Sequence, residues 1–146
     1  ESETVLEETL WVEAAERADS LGVDVINTSL GYSTFDNPKH NYTYADMDGK
    51  TTFISRGAEI ASQKGILVVN SAGNSGTSAW KYITAPADAA SVISVGAVDS
   101  SKNISAFSSF GPSFDGRIKP EILALGTSAS VINHTNGAIA NANGTS

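Results

Sequence analysis

A helix-like segment, a glycine and an apolar strand-like run follow one another twice in the first half of the chain, and this repeat constrains the fold more than any other feature. Residues 18–27 align position by position with residues 61–70, with Gly22 opposite Gly65. Apolar side chains recur at helical spacing before each glycine, and a β-branched run follows it. A glycine at this position ends a helix in the left-handed conformation. Because helices and strands alternate, we predict an α/β fold in which right-handed crossovers build a parallel sheet with helices on both faces.

The boundaries of the predicted elements follow from the same patterns. The first helix is expected over residues 9–21, and the first strand, which should be buried, over residues 23–27. A second helix capped by Thr51 precedes another buried strand over residues 66–70. A third strand is predicted over residues 92–98. Together these elements predict several parallel strands joined by helices.

Charge and composition exclude several classes of function. The 146 residues carry nine basic and sixteen acidic side chains, a formal net charge of -7, which argues against a nucleic-acid surface. No apolar run approaches membrane-spanning length, so we expect no membrane partner. Cysteine is absent, which excludes a disulfide framework and a thiolate metal site. The length fits one compact domain.

Short segments of small residues follow the predicted strands at their carboxyl ends. Ser29-Leu30-Gly31 follows the first strand, and Ala72-Gly73-Asn74 lies just beyond the second. In open parallel sheets, ligands bind outside the carboxyl ends of the strands. A nucleotide-binding domain is excluded, because the chain has neither a Gly-x-Gly loop nor a Gly-x-x-x-x-Gly-Lys loop to cradle phosphates. We therefore expect the two segments to line a ligand cleft at the carboxyl ends of the strands, of a kind other than a nucleotide site.

Two segments lie outside the repeated pattern. Residues 31–50 are polar and aromatic, lack clear periodicity and exceed an ordinary connection in length, so we expect a surface excursion beside the cleft. The last twenty residues are rich in Ala, Asn, Ser and Thr, and only Val131-Ile132 suggests a strand there. This final stretch ends at Gly144-Thr145-Ser146, which could meet the two strand ends in space.

Seven short motifs in a fixed order resemble those of the subtilisin-like serine proteases. The match spans nearly everything from Trp11 onward. The motifs are Ser29-Leu30-Gly31, Ala72-Gly73-Asn74, Ala85-Pro86-Ala87, Val95-Gly96-Ala97-Val98-Asp99, Phe107-Ser108-Ser109-Phe110-Gly111-Pro112, Lys119-Pro120-Glu121 and Gly144-Thr145-Ser146. The resemblance implies an α/β fold with a seven-stranded parallel sheet. It also implies endopeptidase chemistry by an Asp-His-Ser triad.

The resemblance assigns the chemistry to two residues. Ser146 matches the nucleophile of the family. Asn74 matches the residue whose side-chain amide donates a hydrogen bond to the oxyanion, with the backbone amide of Ser146 as the second donor. Gly144 would leave room for the substrate backbone to approach. No cofactor and no metal are expected in this segment, because no Asp-rich loop of defined spacing occurs.

The same resemblance assigns the substrate contacts. Ser29, Leu30 and Gly31 match the strand that pairs with an extended peptide or protein substrate by strand addition. Ala72 and Gly73 match a neighbouring wall, and a large apolar residue is expected at the cleavage position because the glycines leave the pocket open. Relatives carry a cis proline where Pro86 lies, although a trans bond is the usual state of a single X-Pro bond.

Two members of the triad cannot be identified. The family places its Asp and His upstream of the first predicted strand, in motifs that this chain lacks, and the surroundings of His40 and His134 do not match. We therefore expect residues 1–146 to be a partial peptidase domain, lacking the upstream Asp and His segments and the helix after the nucleophile. Such a fragment should be inactive and could self-associate through exposed sheet edges. The resemblance suggests a secreted or cell-envelope protein.

A non-catalytic relative is the main alternative. In such a protein the cleft would bind peptides while the upstream Asp or His is substituted. The deciding positions lie outside this sequence. Asn74 and Ser146 are both intact, which favours the enzyme.

Overall fold

Two α-helices form where the sequence provides both periodicity and caps. The computed structural model describes residues 2–146. Helix α1 spans Val5–Ser20 and starts four residues earlier than predicted, because the Glu7 carboxylate accepts a hydrogen bond of 3.0 Å from the backbone N of Thr4 and so caps its first turn. Helix α2 spans Phe53–Gln63, and its N-cap is Thr52 rather than Thr51.

Four parallel strands form the main sheet, in the order β1-β2-β3-β4. Their bounds are β1 Val25–Thr28, β2 Leu67–Ser71, β3 Ile93–Val98 and β4 Ile122–Leu125. The pairing register brings the ends of β1 and β2 side by side, because Thr28 pairs with Asn70. The mixed helix-and-parallel-sheet class is thus confirmed, and β4 is a strand that the sequence patterns did not predict.

A short hairpin follows the sheet. Strand β5, Ala129–Ile132, pairs antiparallel with β6, Ile139–Ala142. The predicted strand at Val131-Ile132 is confirmed. Its partner was missed because β6 alternates small and polar residues and lacks the β-branched composition that marks a strand.

Within residues 2–146, both α-helices cover the same face of the sheet, although the sequence predicted helices on both faces. Ala58 and Ala61 of α2 and Trp11 of α1 belong to one apolar cluster with Ile26 and Val68. Helix α2 belongs to the crossover from β1 to β2, and α1 packs directly against α2, with Val12 and Trp11 beside Gly57.

The first strand is not buried, which corrects the expectation from its β-branched composition. Val25 is 54% exposed and Leu67, its partner on β2, is 45% exposed. Strand β1 is an edge of the described sheet, and Val25 and Leu67 lie on the face away from the helices. The composition of β1 predicts burial on both faces of the sheet. In the part of the chain that the structure describes, the helices cover only one of these faces.

Residues 31–50 are not merely a surface excursion, which corrects the second expectation. Tyr32, Phe35 and Met47 are buried in a second apolar cluster with Ile54 of α2. The rings of Tyr32 and Phe35 are stacked at 5.9 Å. Aromatic packing of this kind has no sequence period, so a search for periodicity misses it.

Candidate active site

One cleft brings the three predicted motif segments together. It holds about 280 Å³ and lies at the carboxyl ends of β1 and β2. Its lining comprises Glu3, Ser29, Leu30, Gly31, Ser33, Thr34, Ser71, Gly73, Asn74, Ser75, Thr84, Thr145 and Ser146. Parallel strands deliver their carboxyl ends to one edge of the sheet, which explains why distant segments meet there.

The segment 144–146 is held in place by hydrogen bonds to Gly126, Asn74 and Gly73. The backbone N of Gly144 donates to the carbonyl of Gly126 at 2.9 Å. The backbone N of Thr145 donates to Asn74 Oδ1 at 2.9 Å, and the backbone N of Gly73 donates to Thr145 Oγ1 at 3.2 Å. Thr145 is buried and Ser146 is exposed. The buried threonine thus anchors the segment while the serine faces the cleft.

The amide of Asn74 is oriented by Thr145. Its Oδ1 accepts from Thr145 N at 2.9 Å and from Thr145 Oγ1 at 3.0 Å. A backbone N–H can only donate, so the atom facing it must be the amide oxygen. The Nδ2 end is therefore the free end, and it makes no hydrogen bond within residues 2–146.

Two free donors converge beside Gly144. A methyl group built on Gly144 would lie 3.7 Å from the backbone N of Ser146 and 3.8 Å from Nδ2 of Asn74. The missing side chain of Gly144 thus leaves a gap that both donors flank. Such a gap fits one oxygen atom that gains negative charge during a reaction.

Residues 29–31 form the first wall of the cleft, and their backbone carbonyls point alternately toward the sheet and toward the cleft. The Leu30 carbonyl accepts a hydrogen bond of 3.1 Å from Asn70 Nδ2 and so points toward the sheet. Carbonyl directions alternate along an extended chain, which turns those of Ser29 and Gly31 the other way. The backbone of Gly31 forms no hydrogen bond within residues 2–146, so this edge can still pair with another strand.

The second wall is built by Gly73 and Asn74, whereas Ala72 lies beneath it. Gly73 has a φ of 107°, a conformation that favours glycine. Ala72 is fully buried and its N donates to the Val95 carbonyl at 2.9 Å. Through this bond to β3, Ala72 supports the second wall from beneath. It is not among the residues that line the cleft. The Ala85–Pro86 bond beside this wall is cis, so the usual trans state does not hold here.

Three residues that contact the candidate site were given no role at the level of sequence. Thr145 orients Asn74, Asn70 turns the Leu30 carbonyl, and Thr84 lies under both glycine walls. Thr145 stands within a recognised motif and Asn70 lies close to one, but a side chain that acts on another chain segment leaves no local pattern. Only the pairing of β1 with β2 could have placed Asn70 beside residue 30.

Neither histidine lies at the cleft. His40 is exposed at the end of a short 3-10 turn, Pro38–His40. His134 is exposed in the β5–β6 connection, where its Nε2 lies 3.3 Å from Thr135 Oγ1. Within the described residues there is no group of three His, Cys, Asp or Glu side chains suited to a metal ion. Residues 2–146 also contain no helix that is long and apolar enough to span a bilayer.

A buried lysine, Lys119, and its solvent-accessible partner Glu121 lie away from the cleft and hold the sheet together. Lys119 Nζ donates to the carbonyls of Ala89 and Val92 at 2.7 and 2.8 Å and pairs with Glu121 at 2.5 Å. Burial lowers the pKa of Lys119. Burial alone would raise the pKa of Glu121, but hydrogen bonds from Lys119 and Ser94 together lower it. This network ties β4 to β3.

Comparison with known proteins gives a consistent result. The model of the subtilase family, peptidase S8, matches residues 2–146. Subtilisin DY of Bacillus licheniformis is 38% identical over 118 residues, which are 80% of this chain and 35% of that protein. The chain therefore spans about a third of the length of this curated relative.

Solved structures agree on the fold. The self-cleaved protease domain of PatA matches with a TM-score of 0.72 at 25% identity, over 94% of this chain and 45% of that one. The PatG macrocyclase in complex with peptide matches with a TM-score of 0.70 at 17% identity, over 97% of this chain and 37% of that one; this second likeness concerns the fold alone. From the family match and the identity to subtilisin DY, the chain belongs to the subtilase family.

Proposed function

We propose that residues 1–146 form part of a serine endopeptidase that hydrolyses peptide bonds through an acyl-enzyme on Ser146. One observation carries this proposal. Asn74 Nδ2 and the backbone N of Ser146 flank a single gap beside Gly144, directly next to the hydroxyl that would attack. Preorganised donors around developing negative charge are the largest single contribution to many acyl transfers.

In the proposed mechanism, Ser146 Oγ attacks the carbonyl carbon of the scissile bond. The carbonyl oxygen becomes an oxyanion and accepts hydrogen bonds from Asn74 Nδ2 and from Ser146 N. A histidine must take the proton from Ser146 and pass it to the leaving amine, and an acid must orient that histidine. These two residues would come from outside residues 1–146, because neither His40 nor His134 lies at the cleft.

The proposed substrate is an extended peptide or an unstructured protein segment. It would add a strand beside residues 29–31, where Gly31 has unpaired backbone groups, and so gain main-chain hydrogen bonds. Gly73, on the opposite wall, would hold the residue at the cleavage position. Membership of the subtilase family supports this substrate class.

We further propose that residues 1–146 are one part of a larger catalytic domain and are inactive alone. The 35% coverage of subtilisin DY supports this. From the resemblance to the family, the protein is also proposed to act outside the cytoplasm, as a secreted or cell-envelope protein. A protein that carries residues 1–146 within a complete subtilase domain is called the full-length protease.

Hydrolysis of an unfolded protein substrate by the full-length protease tests the function. Ser146→Ala should abolish cleavage. Ser101→Ala is the matched control, because Ser101 is an exposed serine in a turn remote from the cleft. Cleavage that persists unchanged in Ser146→Ala would refute the assignment of the nucleophile.

A non-catalytic peptide-binding domain is the second candidate. The observation that favours it is that no histidine of the described residues lies at the cleft. Under this alternative, the protein that carries the chain binds extended peptides and releases them uncut. Equilibrium binding combined with mass analysis of the recovered peptide distinguishes the two.

Residues 1–146 in isolation should also self-associate. Strand β1 is an edge of the described sheet, and Val25 and Leu67 expose apolar surface beside it. Unprotected edges pair with other edges. Sedimentation of the isolated segment should show oligomers, and a monodisperse monomer would contradict this part of the proposal.

A further inference from the structure

Thr84 occupies the space between the two glycine walls of the cleft. A methyl group built on Gly31 would overlap Thr84 Oγ1, and one built on Gly73 would lie 3.1 Å from the same atom. Thr84 also lines the cleft that contains Asn74 and Ser146. The Thr84 side chain therefore fills part of the space beside Gly31 and Gly73 and forms the floor of the cleft there.

The hydroxyl of Thr84 lacks a partner in the protein. Thr84 is only 5% exposed, and its Oγ1 is buried without a hydrogen bond within residues 2–146. A buried hydroxyl that is unpaired costs free energy. Native structures keep few such groups, and one at a binding cleft is explained when a ligand supplies the missing partner.

The rest of the lining is polar as well. Around the proposed cleavage position, hydroxyl and amide side chains predominate, and Leu30 is the one large apolar residue among those lining the cleft in residues 2–146. Pockets that select aromatic or large aliphatic side chains are lined mainly by apolar groups. The lining therefore disfavours the large apolar residue that open glycine walls suggest.

We propose that Thr84 sets the specificity of this cleft, admitting a short, uncharged polar side chain such as Asn, Ser or Thr on the carbonyl side of the scissile bond and excluding large aromatic ones. The inference rests on the proposed function, because it assigns a substrate class to the same site. Two properties of one side chain act together. The bulk of Thr84 limits the depth of the pocket, and its hydroxyl exchanges a hydrogen bond with the substrate side chain.

Three variants separate these two properties. Thr84→Ser keeps the hydroxyl, Thr84→Val keeps the shape but removes the hydroxyl, and Thr84→Gly removes both. The measurement is the ratio of kcat/KM for two peptides that differ only in Asn or Phe at the cleavage position, using the full-length protease. A ratio within each variant cancels losses in the folded fraction.

We expect the wild type to favour the Asn peptide by at least about tenfold, the effect of one hydrogen bond that a buried group would otherwise lack. Thr84→Val should lower this ratio about tenfold, and Thr84→Ser should keep it. Thr84→Gly should raise kcat/KM for the Phe peptide by about tenfold or more, because pocket volume is gained.

Two results would overturn the inference while leaving the proposed function intact. One is a wild type that prefers the Phe peptide, and the other is a ratio that stays within twofold of wild type in both Thr84→Val and Thr84→Gly. Labelling of wild-type Ser146 by a fluorophosphonate shows in either case that the nucleophile is active. If Ser146 is not labelled and neither peptide is cut, the proposed function fails and the inference fails with it.

Discussion

Asn74 Oδ1 accepts two hydrogen bonds from Thr145, one from the backbone N at 2.9 Å and one from Oγ1 at 3.0 Å. Thr145 Oγ1 in turn accepts from the backbone N of Gly73 at 3.2 Å. This chain of bonds links the end of β2 to the segment that carries Ser146. It fixes which end of the Asn74 amide faces the cleft, so the position of the Nδ2 donor depends on the residue next to Ser146.

Removing the side-chain donor should slow turnover with little effect on substrate binding. We expect Asn74→Ala in the full-length protease to lower kcat by about 10²–10³-fold, the magnitude known for loss of this donor in subtilisin, a relative. KM should stay within about threefold, since the bond forms mainly in the transition state. Steady-state kinetics with active-site titration measures both, and an equal loss through KM alone would contradict the oxyanion assignment.

Thr145 should act through Asn74. Thr145→Val removes the hydroxyl that helps to orient the amide, and we expect a loss in kcat of about tenfold, the value of one hydrogen bond. Thr145→Ser retains the hydroxyl and should recover most of the activity. In Asn74→Ala the effect of Thr145→Val on kcat should largely disappear, because residues that act as a unit are not additive. Additive losses in this double-mutant cycle would indicate a merely structural threonine.

Gly144 and Gly126 should respond differently to alanine. At Gly144 a methyl group makes ordinary contacts of 3.7 and 3.8 Å, so Gly144→Ala should fold normally but fill the gap between the donors and depress kcat. At Gly126 it would lie 2.6 Å from Ala97 Cβ and overlap the carbonyl oxygen of Gly144. Gly126→Ala should therefore lower the free energy of unfolding by about 1–3 kcal/mol through overpacking. Thermal unfolding and kinetics on both variants check this contrast.

The ion pair between the buried Lys119 and the solvent-accessible Glu121 should make stability depend on pH. The pKa of Glu121 is lowered below its ordinary 4.5, so its contribution is present above pH 4.5 and is lost as the pH falls through the lowered value. Glu121→Gln should lower the free energy of unfolding at pH 7 by about 1–3 kcal/mol, because the buried Lys119 loses its partner. The variant should also lose less stability than wild type between pH 5 and about pH 3.

Denaturant unfolding across this pH range measures the effect, with the exposed Glu13→Gln as the matched control. Parallel pH profiles for wild type and Glu121→Gln would show that the pair does not contribute.

The sequence patterns predicted the positions of strands β1 and β2 more accurately than they predicted the burial of those strands. The helix, glycine and strand repeat located β1 and β2 to within one or two residues, because a left-handed glycine and a β-branched run are both local signals. Exposure of Val25 could not be foreseen, since it depends on which strands and helices lie alongside. Strand β4 was not predicted, because its four residues, Ile122 to Leu125, form a short apolar run with little β-branched enrichment, which periodicity alone cannot assign to a strand or a helix.

The residues of the candidate site were likewise predicted only in part. Asn74, Gly31 and Ser146 stand in ordered motifs, so a resemblance was enough to propose them. Thr145, Asn70 and Thr84 act through contacts between segments far apart in the chain, and no spacing rule reports such contacts. Their contribution becomes visible only once the ends of the parallel strands are brought to one edge.

Covalent labelling of the full-length protease with a fluorophosphonate, followed by intact-mass analysis and peptide mapping, tests the central claim most directly. The account predicts one adduct per molecule, located on Ser146 and absent from Ser146→Ala. It also predicts labelling slowed in Asn74→Ala, because the phosphonyl oxygen uses the same donors as the oxyanion. A folded wild-type protein that is not labelled, or labelling on another residue, would contradict the claim that Ser146 is an activated nucleophile.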